Sequence, residues 1–259
     1  MLLRADAPEP AYDAAARALA LDPIDREALT TLSRASTLLG RQKEALKLLE
    51  GLVARTPTDQ APLVALSRLR ALAGQTDQAV AAASEATQQF PDRFGGWDQL
   101  ASILVRKGDA ATLAATIDQM RTAFGERWET SYYEGMLHLL RGEYAAAARV
   151  SDDILEQHPA EPRVLNLAGS AYAALGVRDK AREAFEASLS SEPRDPMTYV
   201  TLGRFELDTF NPQRAAALFT EALFLDPRSP AALNGLADAL SRMGRAERAA
   251  ELRARAGTF

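Results

Sequence analysis

The sequence predicts an all-α solenoid of helical hairpins, seven pairs preceded by one lone N-terminal helix, from three residue series on one 34-residue period. Pro23, Pro57, Pro91, Pro159, Pro193 and Pro227 share one phase, with Gly125 in the missing slot. Gly40, Gly74, Gly108, Gly142, Gly176 and Gly244 share a second, interrupted by Phe210. Ala45, Ala79, Ala147, Ala181, Ala215 and Ala249 share a third, interrupted by Leu113. Proline closes each unit because it cannot continue a helix, glycine opens the turn within it, and alanine lets two helices approach. A single hairpin cannot bury its apolar face alone, so the units must stack.

Residues 1–25 form an N-terminal segment and residues 26–259 the array. Pro8 breaks residues 1–9, Pro10 suits a first helical turn, and Ala11–Asp22 reads as one helix ended before Pro23. It corresponds to the second helix of a unit whose first is missing, which leaves Ala11, Ala14, Ala15 and Ala18 facing an empty place. Leu2 and Leu3 folding back, a contact with a second copy, or trimming from a longer array would each account for it. The units follow at 26–59, 60–93, 94–127, 128–161, 162–195, 196–229 and 230–259, the last shortened but with both helices. Leucines or aromatics at the fourth position (Leu29, Leu63, Trp97, Leu165, Tyr199, Leu233) give the first helices an apolar face. The eighth position is small, as at Ser67, Ala101, Gly169 and Gly203, and is expected opposite the alanine series. Unit 128–161 departs, with Ser131, Glu134 and Ser151 at positions where its neighbours are mostly apolar. Either Trp128, Tyr132 and Tyr133 compensate, or the region is a bend or a special binding surface. Phe210-Asn211-Pro212 replaces one glycine turn, with Pro212 opening the second helix. Arg253 stands where earlier units carry Leu49, Ile117, Phe185 and Phe219, as suits an end helix with nothing stacked over it.

Gly169, Tyr172, Ala181, Phe185 and Pro193 in one unit, and Leu202-Gly203, Ala215, Phe219, Ala222 and Pro227 in the next, resemble the tetratricopeptide repeat. The resemblance covers about residues 10–259 and is carried by packing residues. It implies a right-handed α-solenoid of tetratricopeptide-type hairpins, with first helices lining a concave groove that receives a peptide or partner segment. It also implies that positions 2, 5, 9, 12 and 13 of each unit face that groove. Those positions place Arg34 and Arg68 side by side with Arg106 near, followed by Tyr132 and Met136, then Asn166, then Arg204 with Val200 and Leu207, then Asn234. Arginines at one slot of adjacent units suit an anionic partner, because guanidinium forks match carboxylates; pairing with local acids or facing water is the alternative. Tyr132 and Met136 read as an apolar anchor or as core swung inward. Asn166 and Asn234 offer a peptide backbone both donor and acceptor. A lysine–asparagine clamp for a C-terminal carboxylate has no counterpart, since Thr30 with Arg34, Val64 with Arg68 and Asp98 with Ser102 occupy its positions.

Composition narrows the chemistry. Among the 259 residues there is no cysteine, so no disulfide, thiolate metal site or cysteine nucleophile. The two histidines, His138 and His158, fall on different helices without an HExxH pattern, and His158 before Pro159 reads as a helix C-terminal residue. Neither phosphate-loop pattern is present, and the FGG at 94–96 reads as a linker at a repeat start, not a phosphate cradle. A net charge of -5 provides no field for a polyanion. The expectation is a non-enzymatic interaction scaffold without cofactor or metal. Its partner would be a protein or peptide with an acidic stretch and an apolar anchor, not nucleic acid or membrane, and the N-terminal helix would support weak homodimers. No apolar run reaches a signal peptide or the ~18 residues of a membrane span, which suggests the cytoplasm. The alternative is an N-terminal regulatory or substrate-recruiting region of a larger bacterial transferase-type enzyme, since arrays of this family are often fused to transferase domains.

Overall fold

The computed structural model describes residues 7–257, and among them there are fifteen helices and no strand. Two compact units divide the chain, Met1–Leu140 and Arg141–Phe259.

The first unit contains α1 (Pro8–Leu21), α2 (Arg26–Leu39), α3 (Gln42–Arg55), α4 (Ala61–Leu72), α5 (Thr76–Gln89), α6 (Phe94–Lys107), α7 (Ala110–Phe124) and α8 (Trp128–Leu140). Each helix packs on the next, and α2 on α4, α4 on α6 and α6 on α8 as well. This second set of contacts lays the first helices of the hairpins side by side. The apolar layers are local: α1 to α4 share one cluster around Leu32, Leu49 and Leu69, and α5 to α8 another around Leu104, Leu113 and Met120.

The second unit contains α9 (Tyr144–Leu155), α10 (Pro162–Ala174), α11 (Arg178–Ser191), α12 (Pro196–Asp208), α13 (Pro212–Leu225), α14 (Pro230–Arg242) and α15 (Ala246–Ala256). Successive helices again pack together, and α10 meets α12 as α12 meets α14. The small eighth position has two partners. Ser67 donates its hydroxyl to the Ala79 carbonyl at 2.8 Å, as expected of a residue opposite the alanine series. Gly169 and Gly203 instead lie under the rings of Phe185 and Phe219.

The punctuation works through backbone geometry. Six turn glycines take φ between +73° and +78°, the left-handed region open to glycine, and Phe210 adopts φ 63° in the slot where glycine is missing. Gly125 ends α7 with φ 70° and ψ -160°, a conformation that replaces the proline of other units. Where a large residue fills the fourth position, its polar tip fastens the preceding boundary: Trp97 Nε1 donates to the Pro91 carbonyl at 3.1 Å, and Tyr199 to that of Pro193 at 3.2 Å.

Several sequence expectations shift. The first helix starts at Pro8, not Ala11, because proline is tolerated in a first turn. The FGG at 94–96 is the first turn of α6 and not a linker. Ala11 and Ala15 are buried with Tyr12 and Leu19 in the cluster that joins α1 to α2 to α4, so two of the four alanines expected to lie open are covered. Leu2 and Leu3 lie outside the described residues. Tyr133 is core, 1% exposed, with its hydroxyl donating to the Asp98 backbone carbonyl at 2.8 Å and to Asp98 Oδ1 at 2.7 Å. Glu134 accepts from Arg121 of α7 at 3.0 Å, so a charged contact stands where other units pack apolar side chains. Val200 and Leu207 are buried at 2% and 5%, not groove-facing. The small Ala232 and Ala239 let α14 close over them.

Candidate functional site

The first helices of the first unit carry the candidate site. Between the starts of α2, α4 and α6 lies a cavity of about 440 Å³ whose lining includes Arg26, Gln60, Val64, Arg68, Arg93 and Phe94. Arg68 projects into it from the third turn of α4, half-buried. Arg34 is exposed one helical turn beyond Thr30, another lining residue, and so sits at the cavity's edge. The side chains of Arg34, Arg68 and Arg26 make no hydrogen bond or ion pair among the described residues, although the Arg26 backbone carbonyl accepts the Thr30 hydroxyl at 2.8 Å. Elsewhere in the chain Arg41, Arg70, Arg121, Arg127, Arg182 and Arg214 each reach a carboxylate.

Arg106 is not part of this group. It lines a separate cavity of about 350 Å³ at the C-terminal end of α6, with Ala71, Thr76, Asp77, Ile103 and Lys107. The expected row of three arginines is therefore divided, because position 13 is about 6 Å further along the helix axis than position 9. Beside Arg106, Lys107 is held by Asp77 at 2.8 Å.

Tyr132 and Met136 follow on α8, one turn apart and both half-buried, with Leu140 beyond them 38% exposed. The Tyr132 ring meets the buried Tyr133 ring edge-on, centroids 5.1 Å apart, which stiffens its placement. Of the two tyrosines, then, one is core and the other sits at the surface of the helix row.

In the second unit, Asn166 on α10 donates its amide to Thr198 Oγ1 at 3.0 Å, so this donor ties α10 to α12. Its Oδ1 is buried without a partner. Arg204 and Asn234 are exposed on α12 and α14, and Arg204 has no ion pair among the described residues. His158 follows the end of α9, its backbone N–H reaching the Ile154 carbonyl at 2.9 Å. No group of three or more histidines, aspartates or glutamates among the described residues is placed to hold a metal ion. No helix among them is long and apolar enough to cross a membrane.

Arg26, Gln60 and Arg93 escaped the sequence reading because groove positions were counted along helix faces, whereas these three sit at or before the first residue of a helix. A signal was there. The slot preceding each first helix holds Asp25, Asp59, Glu161, Asp195 and Ser229, whose side-chain oxygens accept backbone N–H groups at 3.0, 2.7, 3.4, 3.1 and 3.3 Å. Arg93 and Arg127 replace them in two units.

Stacked antiparallel helix pairs on one fixed period define a helical-repeat protein. Tetratricopeptide repeat models match residues 132–196 and residues 206–257. A crystallised tetratricopeptide repeat protein from Parabacteroides merdae ATCC 43184 is similar over 88% of this chain and 90% of its own, with 16% identity and a TM-score of 0.68. A chain of the APC/C hetero-tetramer Cut9–Hcn1 is similar over 95% of this chain and 52% of its own, with 16% identity and a TM-score of 0.64. No curated protein sequence matches. Residues 132–196 and 206–257 are thus tetratricopeptide repeats by sequence, and the solved structures share their fold across most of the chain.

Proposed function

We propose that this protein is a non-catalytic scaffold that holds an extended partner segment along the first helices of its N-terminal unit. One observation carries the reading: the side chains of Arg34 and Arg68 lie without partners among the described residues, along a row of helices that ends in half-buried Tyr132 and Met136. An acidic stretch of the partner would meet the arginines and an apolar side chain would meet the tyrosine. Charge would then set orientation and encounter rate, and the apolar contact most of the residence time. A neighbour in fold that is part of a hetero-tetramer agrees with a role in assembly.

Affinity capture with the intact chain and peptide mapping define the segment, and isothermal titration then tests the groove. Tyr132→Ala should cost about 2 kcal/mol or more of binding, as expected of a central anchor. Arg34→Ala with Arg68→Ala should weaken binding at low salt and flatten its salt dependence, since screening acts on the charge contribution alone. If both variants bind like the parent at low and high salt, with helicity retained, the segment does not lie on this row.

A further inference from the structure

We infer that the cavity between the starts of α2, α4 and α6 is a binding site for a phosphorylated side chain of the partner segment. This rests on the groove reading above and adds to it the chemical group that the groove selects. The lining includes three arginines from three successive hairpins, half-buried Arg68 and the exposed Arg26 and Arg93. Its two acids offset them only in part. The Asp98 carboxylate already accepts the Tyr133 hydroxyl at 2.7 Å, and Asp92, 81% exposed, reaches its neighbour Arg93 only at 4.0 Å.

A fourth, uncharged donor points the same way. Gln60 is 7% exposed and lines the cavity. Its Oε1 accepts the Gly96 N–H at 3.0 Å, which fixes the amide's orientation and leaves Nε2 as a donor with no acceptor among the described residues. Nε2 lies beside Gly95, in the first turn of α6, where a Cβ would stand only 3.3 Å from it. Arg93, the N-cap of this helix, offers no side-chain oxygen to the first-turn amides, whereas the aspartates at the same slot in other units do. The residue change at one repeat slot thus exchanges an acceptor for a cation and leaves donors facing one space.

A single carboxylate satisfies one guanidinium fork. A phosphate monoester carries close to two negative charges and three acceptor oxygens, enough to engage several donors together. Phosphoserine or phosphothreonine fits that donor set, and modification of the partner would then switch docking on.

The test uses the intact chain and three short fluorescent acidic peptides, followed by anisotropy. Each carries one leucine about three to six residues from a serine, a distance that spans neighbouring helices. The serine is left free, phosphorylated or replaced by glutamate. The phosphoserine peptide is expected to bind at least about tenfold tighter than either relative, as its extra charge-assisted hydrogen bonds allow. Arg68→Met with Arg93→Met should weaken all three peptides but abolish that preference, lowering the affinity of the phosphoserine peptide at least about tenfold more than that of the free-serine peptide, and Tyr132→Ala should weaken all three alike. Equal binding of the phosphorylated and glutamate peptides, or of the phosphorylated and free ones, overturns the phosphate site and leaves the groove standing. A preference that survives the double arginine variant also overturns it. No binding by any peptide overturns both readings.

Discussion

Gly169 faces the Phe185 ring so closely that a Cβ would lie 2.6 Å from two ring carbons. Adding one methyl there must displace either the ring or α10, so Gly169→Ala should destabilise the protein by about 1–3 kcal/mol in thermal unfolding. Combining it with Phe185→Leu should cost less than the sum of the two single changes, because both act on one contact. Phe210 is the opposite case. Its side chain is 80% exposed while its backbone sits at φ 63°, where the Cβ crowds the chain and little packing compensates. Phe210→Gly should therefore raise stability by about 1 kcal/mol, read as a higher midpoint in urea. A lower midpoint would show that the ring has a structural contact after all.

At the scale of elements, α12 is held by a carboxylate with no exposure to solvent. Glu206 accepts from Arg182 of α11 at 3.1 Å, pairs with Arg214 of α13 at 3.3 Å, and accepts the Asn211 amide at 2.9 Å. Three consecutive helices and the Phe210 turn thus converge on one side chain. The two arginines are partly exposed and can rehydrate, but Glu206 cannot. Replacing both arginines by methionine should consequently destabilise more than Glu206→Gln, by an amount approaching the ~3–5 kcal/mol of an orphaned buried charge. Equal losses in chemical denaturation would contradict this. The helices themselves were legible in sequence because proline, glycine and alanine act locally, each fixing a turn or a close approach within a few residues. Val200 and Leu207 were not, since their burial depends on how closely α14 approaches, which the small residues of a different hairpin decide. The candidate site was legible only in part for a similar reason. Arg68 and Tyr132 follow from helix-face counting, but the donors at the helix starts belong to the capping slot and obey a different register.

For the whole molecule, stability resides in local apolar layers, not in one central core. Leu100, 6% exposed in the layer of α5 to α8, should on truncation to alanine lower hydrogen-exchange protection mainly in those helices. Gly169→Ala should do so mainly in α10 and α11. Uniform loss of protection along the chain in both variants would mean one cooperative core instead. The same locality bears on how such a chain can grow or shrink by recombination. The Phe219 ring sits against Gly203 of its own hairpin and also against Gly235 of the next. A crossover at the proline boundary keeps the first glycine with the ring and parts it from the second; a crossover at the intra-hairpin turn does the reverse. Neither junction yields a self-sufficient cassette. Units gained or lost here would need matching small residues on the incoming neighbour, so the genetic module and the packing module are offset by one helix.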